Sequence, residues 1–142
     1  MRVVKPVTLK RNTARLLAVA RRLAAGAISQ NKAEFHAVGR AVLRAVLGHL
    51  GVEGDVRSCK GGPAVAGEVI LHTEAVYVCL TVPYGGGLQF YYRTVKGRTD
   101  YCGGTNNWFT FERLAGDPLA FVESLRGLCP HLQQESSHVD GR

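Results

Sequence analysis

Cys59 lies in the run Arg57-Ser58-Cys59-Lys60-Gly61-Gly62, where flanking cations favour the thiolate and hence a nucleophile. Cys102 follows Asp100 by two residues and precedes a glycine pair. His72, in an apolar stretch, could serve either thiol as a general base, which would make a Cys-dependent enzyme. The competing reading is that lone cysteines pack as small hydrophobes. The four cysteines, Cys59, Cys79, Cys102 and Cys129, are widely spread, with no C-x-x-C and no Cys/His pair at metal-ligand spacing. That pattern predicts no metal, and reduced thiols in a cytoplasmic protein. The carboxylates Glu68, Glu74, Asp100 and Glu112 lack paired spacing, and Gly85-Gly86-Gly87 runs into Leu88 rather than into the Lys-Ser/Thr of a phosphate loop. No cofactor is expected, and the balance is against catalysis.

A different chemistry is written in the cations. The first 33 residues hold eight Lys/Arg and no acid; Glu34 is the first. Residues 1–60 carry 12 basic and 3 acidic side chains, net +9, whereas residues 61–142 carry 6 and 8, net −2. The overall +7 is therefore one-sided, and a one-sided field favours a polyanionic partner. An Arg-rich, acid-free start also fits a mitochondrial transit peptide, but the segment has a single serine, Ser29. No apolar run reaches the ~20 residues of a membrane span, and Arg15, Arg21 and Arg22 break any signal-peptide core.

The elements that must position these cations follow from periodicity. Residues 1–8, with Pro6, read as an extended arm. A helix is expected from Asn12 or Thr13 to Ala25, stopped by Gly26. It places Leu9, Leu16, Ala20 and Leu23 on one face and Arg11, Arg15 and Arg22 on the other. Asn31 is the expected cap of a second helix ending at Leu50 and Gly51, with Phe35, Val38, Val42, Ala45, Val46 and His49 inward and Arg40 and Arg44 on the far side. The short break between the helices predicts an antiparallel hairpin. A Gly/Pro-rich loop follows, with a short strand possible around Val56. Strands are predicted at Glu68–Thr73, Val76–Val82, Leu88–Val95 and Arg98–Cys102, the last two joined by a Lys96-Gly97 turn. Residues 103–107 read as an irregular loop. Asp117-Pro118 starts a C-terminal helix that Cys129-Pro130 ends, and residues 133–142 read as a flexible tail. The expectation is one α+β domain over 1–132: a helical hairpin, an antiparallel meander of about four strands and a C-terminal helix.

The order α-β-β-β-α resembles the double-stranded-RNA-binding domain in topology alone. That family's basic cluster at the start of the last helix is missing here, because the helix opens Asp117-Pro118 and carries Glu123.

Eight of the eleven aromatic residues fall between Tyr84 and Phe111, with Arg93, Lys96 and Arg98 among them. Alternation sends Phe90 and Tyr92 to one face and Tyr91 and Arg93 to the other. Aromatic faces beside cations can stack on unpaired bases, with Asn106 and Asn107 offering amides to phosphate or base edges. The simpler reading, and the one the pattern favours, is that half of these aromatics alternate inward and fill the core against the helices. The sequence thus predicts a non-enzymatic protein that binds DNA, RNA or a nucleoprotein complex. Arg11, Arg15, Arg22, Arg40 and Arg44 form one expected surface, and Tyr91, Arg93, Lys96, Arg98, Asn106 and Asn107 a second. The alternative is an inhibitor or accessory factor, such as a phage or mobile element encodes, docking on an acidic or RNA-containing complex.

Overall fold

In the computed structural model, which describes residues 4–61, 66–82, 87–100 and 104–128, Pro6 opens the first helix, α1 (Pro6–Ala24). The start lies earlier than Asn12 or Thr13, and the extended arm shortens accordingly. Proline at the first turn gives up an N–H that has no intrahelical acceptor anyway, and its fixed φ suits the helix. Lys5 stays extended (φ −60°, ψ 143°), as a residue before proline must. Its carbonyl accepts from the Thr8 and Leu9 N–H groups at 3.0 Å. Thr13 is no cap: it is buried, and its hydroxyl donates to the Lys10 carbonyl.

Helix α2 (Asn31–Leu50) ends at Gly51, whose φ of 72° is the left-handed turn that glycine adopts without a Cβ clash. Asn31 is the first helical residue and does not cap its own helix. Its amide donates instead to the Ala27 carbonyl at 2.7 Å, tying the connection down. Helix α2 lies close on the sheet through Gly39, where a Cβ would sit 3.2 Å from a methyl of Val69.

Five strands follow, β1 (Gly54–Cys59), β2 (Glu68–Thr73), β3 (Val76–Thr81), β4 (Gln89–Thr94) and β5 (Asn107–Thr110), in sheet order β1-β2-β3-β4-β5. All neighbours are antiparallel. The sheet is therefore one strand larger than expected, because β1 is a full strand. The expected strand at Arg98–Cys102 does not form over its described part: residues 98–100 turn, and Asp100 Oδ2 accepts from the Lys96 N–H at 2.9 Å. Tyr101 and Cys102 lie outside the described residues, as does the expected tail. The last strand is instead β5, directly followed by a short helix, α3 (Phe111–Gly116). Thr110 caps α3, its hydroxyl accepting from the Arg113 N–H. Helix α4 (Pro118–Leu128) begins where Asp117-Pro118 predicted.

The period of two along each strand sorts the sheet into two faces. Val56, Leu71, Val78, Tyr92 and Asn107 pair across all five strands in one row. Their neighbours Val69, Leu80, Phe90 and Phe109 join them beneath the helices in the main core. Phe121 of α4 meets Phe90, Tyr92 and Phe109 at ring separations of 5.0–5.3 Å, which sets α4 over β4 and β5. Helix α2 covers β1 and β2, and α1 packs on α2 and α3. No described helix is long and apolar enough to cross a membrane.

Candidate nucleic-acid interface

The basic stripe of α1 is sorted by its neighbours. Arg22 is committed to the helical connection: Nε donates to Asn31 Oδ1 at 2.7 Å, and Nη2 lies 3.2 Å from Glu34 Oε1. Arg21 pairs with Glu112 of α3 at 3.4 Å. Arg11 and Arg15, one turn apart, are exposed and have no acidic partner among the described residues.

Two contacts tie the ends of the hairpin together. The Arg22–Glu34 pair closes one end. At the other, His49 Nε2–H donates to the Val4 carbonyl at 3.1 Å. The two contacts show that α1 and α2 run antiparallel, with Arg11 and Arg15 of α1 and Arg44 of α2 in the stretch between them. Arg44 is exposed and, like Arg11 and Arg15, has no acidic partner among the described residues. Arg40, one turn earlier, is turned about 40° away, toward the sheet, where Nη1 donates to Ser58 Oγ at 2.6 Å. The expected five-arginine surface thus resolves into three open guanidiniums and two structural ones.

Of the second expected surface, Tyr91 and Arg93 lie on the opposite face of the sheet, whereas Asn107 belongs to the row beneath the helices. Tyr91 belongs to the row Arg57–Ile70–Cys79–Tyr91–Trp108, which points away from the helices. Helical arginines and sheet aromatics therefore cannot share one groove. Arg93 is 6% exposed and stacks on Tyr77. Arg98 forms an ion pair with Asp55. Asn107 Nδ2 donates to the Tyr92 and Thr105 carbonyls, fixing the start of β5. Of that set Lys96 and Asn106 are exposed and Tyr91 is half-buried. Trp108, absent from the expected set, is 53% exposed and meets Tyr91 edge-on at 5.6 Å. The signal for it was the alternation Trp108-Phe109: with Phe109 inward, Trp108 must face out.

Among the described residues Cys59 and His72 do not come together. Cys59 pairs with Glu68 at one end of β1, and His72 pairs with Asp55 near the other. Four residues of strand, roughly 13 Å, separate the two positions. His72 is 1% exposed, and its Nε2 lies 3.1 Å from the Gly97 carbonyl. Cys79 is fully buried, and burial pushes its thiol up to about 12 despite a hydrogen bond from Tyr91. Burial likewise raises the Tyr91 hydroxyl. Cys102 and Cys129 lie outside the described residues.

One further buried base sits near the cations. His36, on α2, is 1% exposed, with Nε2 2.6 Å from the Ala66 carbonyl. Burial holds its pKa below 6.5, and Lys60, Arg40 and Lys32 push the same way against the Ala66 hydrogen bond.

No protein-family model, curated protein or solved structure matches this chain.

Proposed function

We propose that this protein binds nucleic acid without catalysis, its phosphates lying along the outer face of the α1–α2 hairpin. One observation carries the reading: Arg11, Arg15 and Arg44 are exposed on neighbouring helices, with no acidic partner among the described residues. Glu34 and Glu112 are already engaged, by Arg22 and Arg21 respectively. Cations gathered on two neighbouring helices repel one another, and a phosphate backbone relieves that repulsion. Guanidinium forks suit phosphate oxygens. Contacts of this kind position a backbone and carry no sequence information.

The measurement is fluorescence anisotropy on labelled DNA and RNA, single- and double-stranded, over a range of salt. Three phosphate contacts on a duplex imply a slope of log K against log salt near ~ −3. Changing Arg11, Arg15 and Arg44 together to Gln should weaken binding to all sequences and remove most of that slope. Absence of binding to every nucleic acid at low salt would sink the reading.

A second reading, an accessory factor docking on a protein, is favoured by Trp108. A large aromatic standing half out of the helix-free face suits an interface anchor. Retention of a specific protein after nuclease treatment, lost in Trp108→Ala, would favour it. Either role fits a cytoplasmic protein with reduced thiols.

A further inference from the structure

We propose that the free edge of β1 takes up an extended acidic segment of a protein partner as an added strand. Strand β1 is the first strand of the sheet, so one side of its backbone pairs with β2 and the other does not. Among the described residues no backbone–backbone hydrogen bond outside the sheet reaches Gly54–Cys59. In an antiparallel pair alternate residues turn N–H and C=O outward, so half of Gly54–Cys59 presents an open ladder. The other sheet edge is shorter and blunted, because β5 runs straight into α3.

Charge at this edge is lopsided. Lys60 is exposed just beyond β1. On α2, Lys32, Arg40 and Arg44 recur at multiples of four residues, with His36 completing the row, so they climb one side of the helix. The Arg40–Ser58 hydrogen bond places that row beside the C-terminal half of β1. Among the described residues none of the four cations has an acidic partner. At the N-terminal half, Glu53 is exposed and Asp55 is held by Arg98. A partner strand would accordingly set its carboxylates toward Ser58–Lys60.

The ladder decides the partner's class. Its donors and acceptors alternate, and only another polypeptide backbone satisfies both; phosphates offer acceptors alone. A second copy of this chain, paired edge to edge about a two-fold axis, would set its own Glu53 end toward Ser58–Lys60 but would also bring two such basic rows onto the same side of the sheet, so dimerisation through β1 in place of peptide binding would overturn the proposal. The proposal shares Arg44 with the nucleic-acid reading but needs neither Arg11 nor Arg15, so changing those two residues separates the readings.

The test is titration of the isotope-labelled full chain with a short peptide alternating Val and Glu, followed by amide NMR and anisotropy. Amides of Gly54–Cys59 should shift, and the matching Val/Lys peptide should not bind. Methylating every second peptide nitrogen blocks the ladder in one of the two possible settings. One of the two methylated peptides should therefore bind about tenfold or more weakly. Lys60→Gln with Arg40→Gln should weaken the acidic peptide several-fold. The proposal is overturned if the acidic peptide does not bind, if both methylated peptides bind as well as the parent, or if shifts centre on Arg11 and Arg15. It is overturned equally if an oligonucleotide shifts the β1 amides with the peptide's affinity.

Discussion

The Arg93 guanidinium carbon lies 4.2 Å from the centre of the Tyr77 ring, directly across the β3–β4 ladder, on the face the helices leave open. Around this pair Ile70, Tyr77 and Cys79 form a second, smaller core with Tyr91 and Val95 packed against it. An arginine that sequence assigns to a binding surface is thereby structural. A desolvated cation–π contact contributes ~2 kcal/mol, and the guanidinium stem adds packing. Arg93→Ala should therefore lower the unfolding free energy by about 2 kcal/mol, read as a lower urea midpoint. Its affinity for nucleic acid at a temperature where it stays folded should match the parent. A stable but non-binding Arg93→Ala protein would return Arg93 to the interface.

Thiol reactivity should separate the two described cysteines. Cys59 is exposed, whereas Cys79 is buried with its thiol pushed up to about 12. In a background with Cys102 and Cys129 changed to Ser, a thiol reagent at neutral pH should modify Cys59 promptly. Cys79 should react only on unfolding, because the thiolate is the reactive species. Mass-spectrometric mapping with time reads both sites. Rapid native modification of Cys79 would mean that this side of the sheet opens freely.

Much of this architecture was legible in the sequence, and the failures have physical causes. Long periodic segments such as α2 and the alternation of Val76–Thr81 specify their element and its buried face, because side-chain spacing does not depend on distant contacts. Pro6 misled because the same residue is a breaker inside a helix and a starter at its first turn. The strand at Asn107–Thr110 was hidden because it has only four residues, too few for a period to stand out. Its place is set by non-local pairing: Phe109 opposite Phe90 and Trp108 opposite Tyr91. The candidate site was half legible. A helical wheel finds the stripe Arg11-Arg15-Arg22, but it cannot show that Glu34, on another helix, takes up Arg22. Nor does it show that Ser58, on the edge strand, takes up Arg40. Which cations stay open is a tertiary property.

His36 should make stability depend on pH. Burial lowers its pKa in the folded protein below 6.5, with Lys60, Arg40 and Lys32 adding to the effect. Between that lowered value and 6.5 the unfolded chain binds the proton and the native chain does not, so stability falls as pH falls through this window. Above 6.5 both states are neutral at this residue, and it contributes no slope. Urea unfolding from pH 8 down to pH 5 should show a decline that His36→Gln lacks over the same window, whatever its absolute stability. Parallel curves for the two proteins would assign the acid sensitivity elsewhere.

Two glycines should respond with opposite sign to the same substitution. Gly51 and Gly127 both have open space where a Cβ would go, so packing does not enter at either site. Gly51 has φ 72°, in the left-handed turn that ends α2, where an L-residue costs ~1–2 kcal/mol. Gly127 lies in the last turn of α4 and is absent from the glycines with positive φ. There alanine removes freedom from the unfolded chain and suits the helix, for a gain of about 0.4–1 kcal/mol. Gly51→Ala should therefore lower the thermal midpoint and Gly127→Ala raise it. A neutral Gly51→Ala would show that the end of α2 rearranges at no cost. That outcome would loosen the connection to β1 on which the alignment of Arg40 with Ser58 depends.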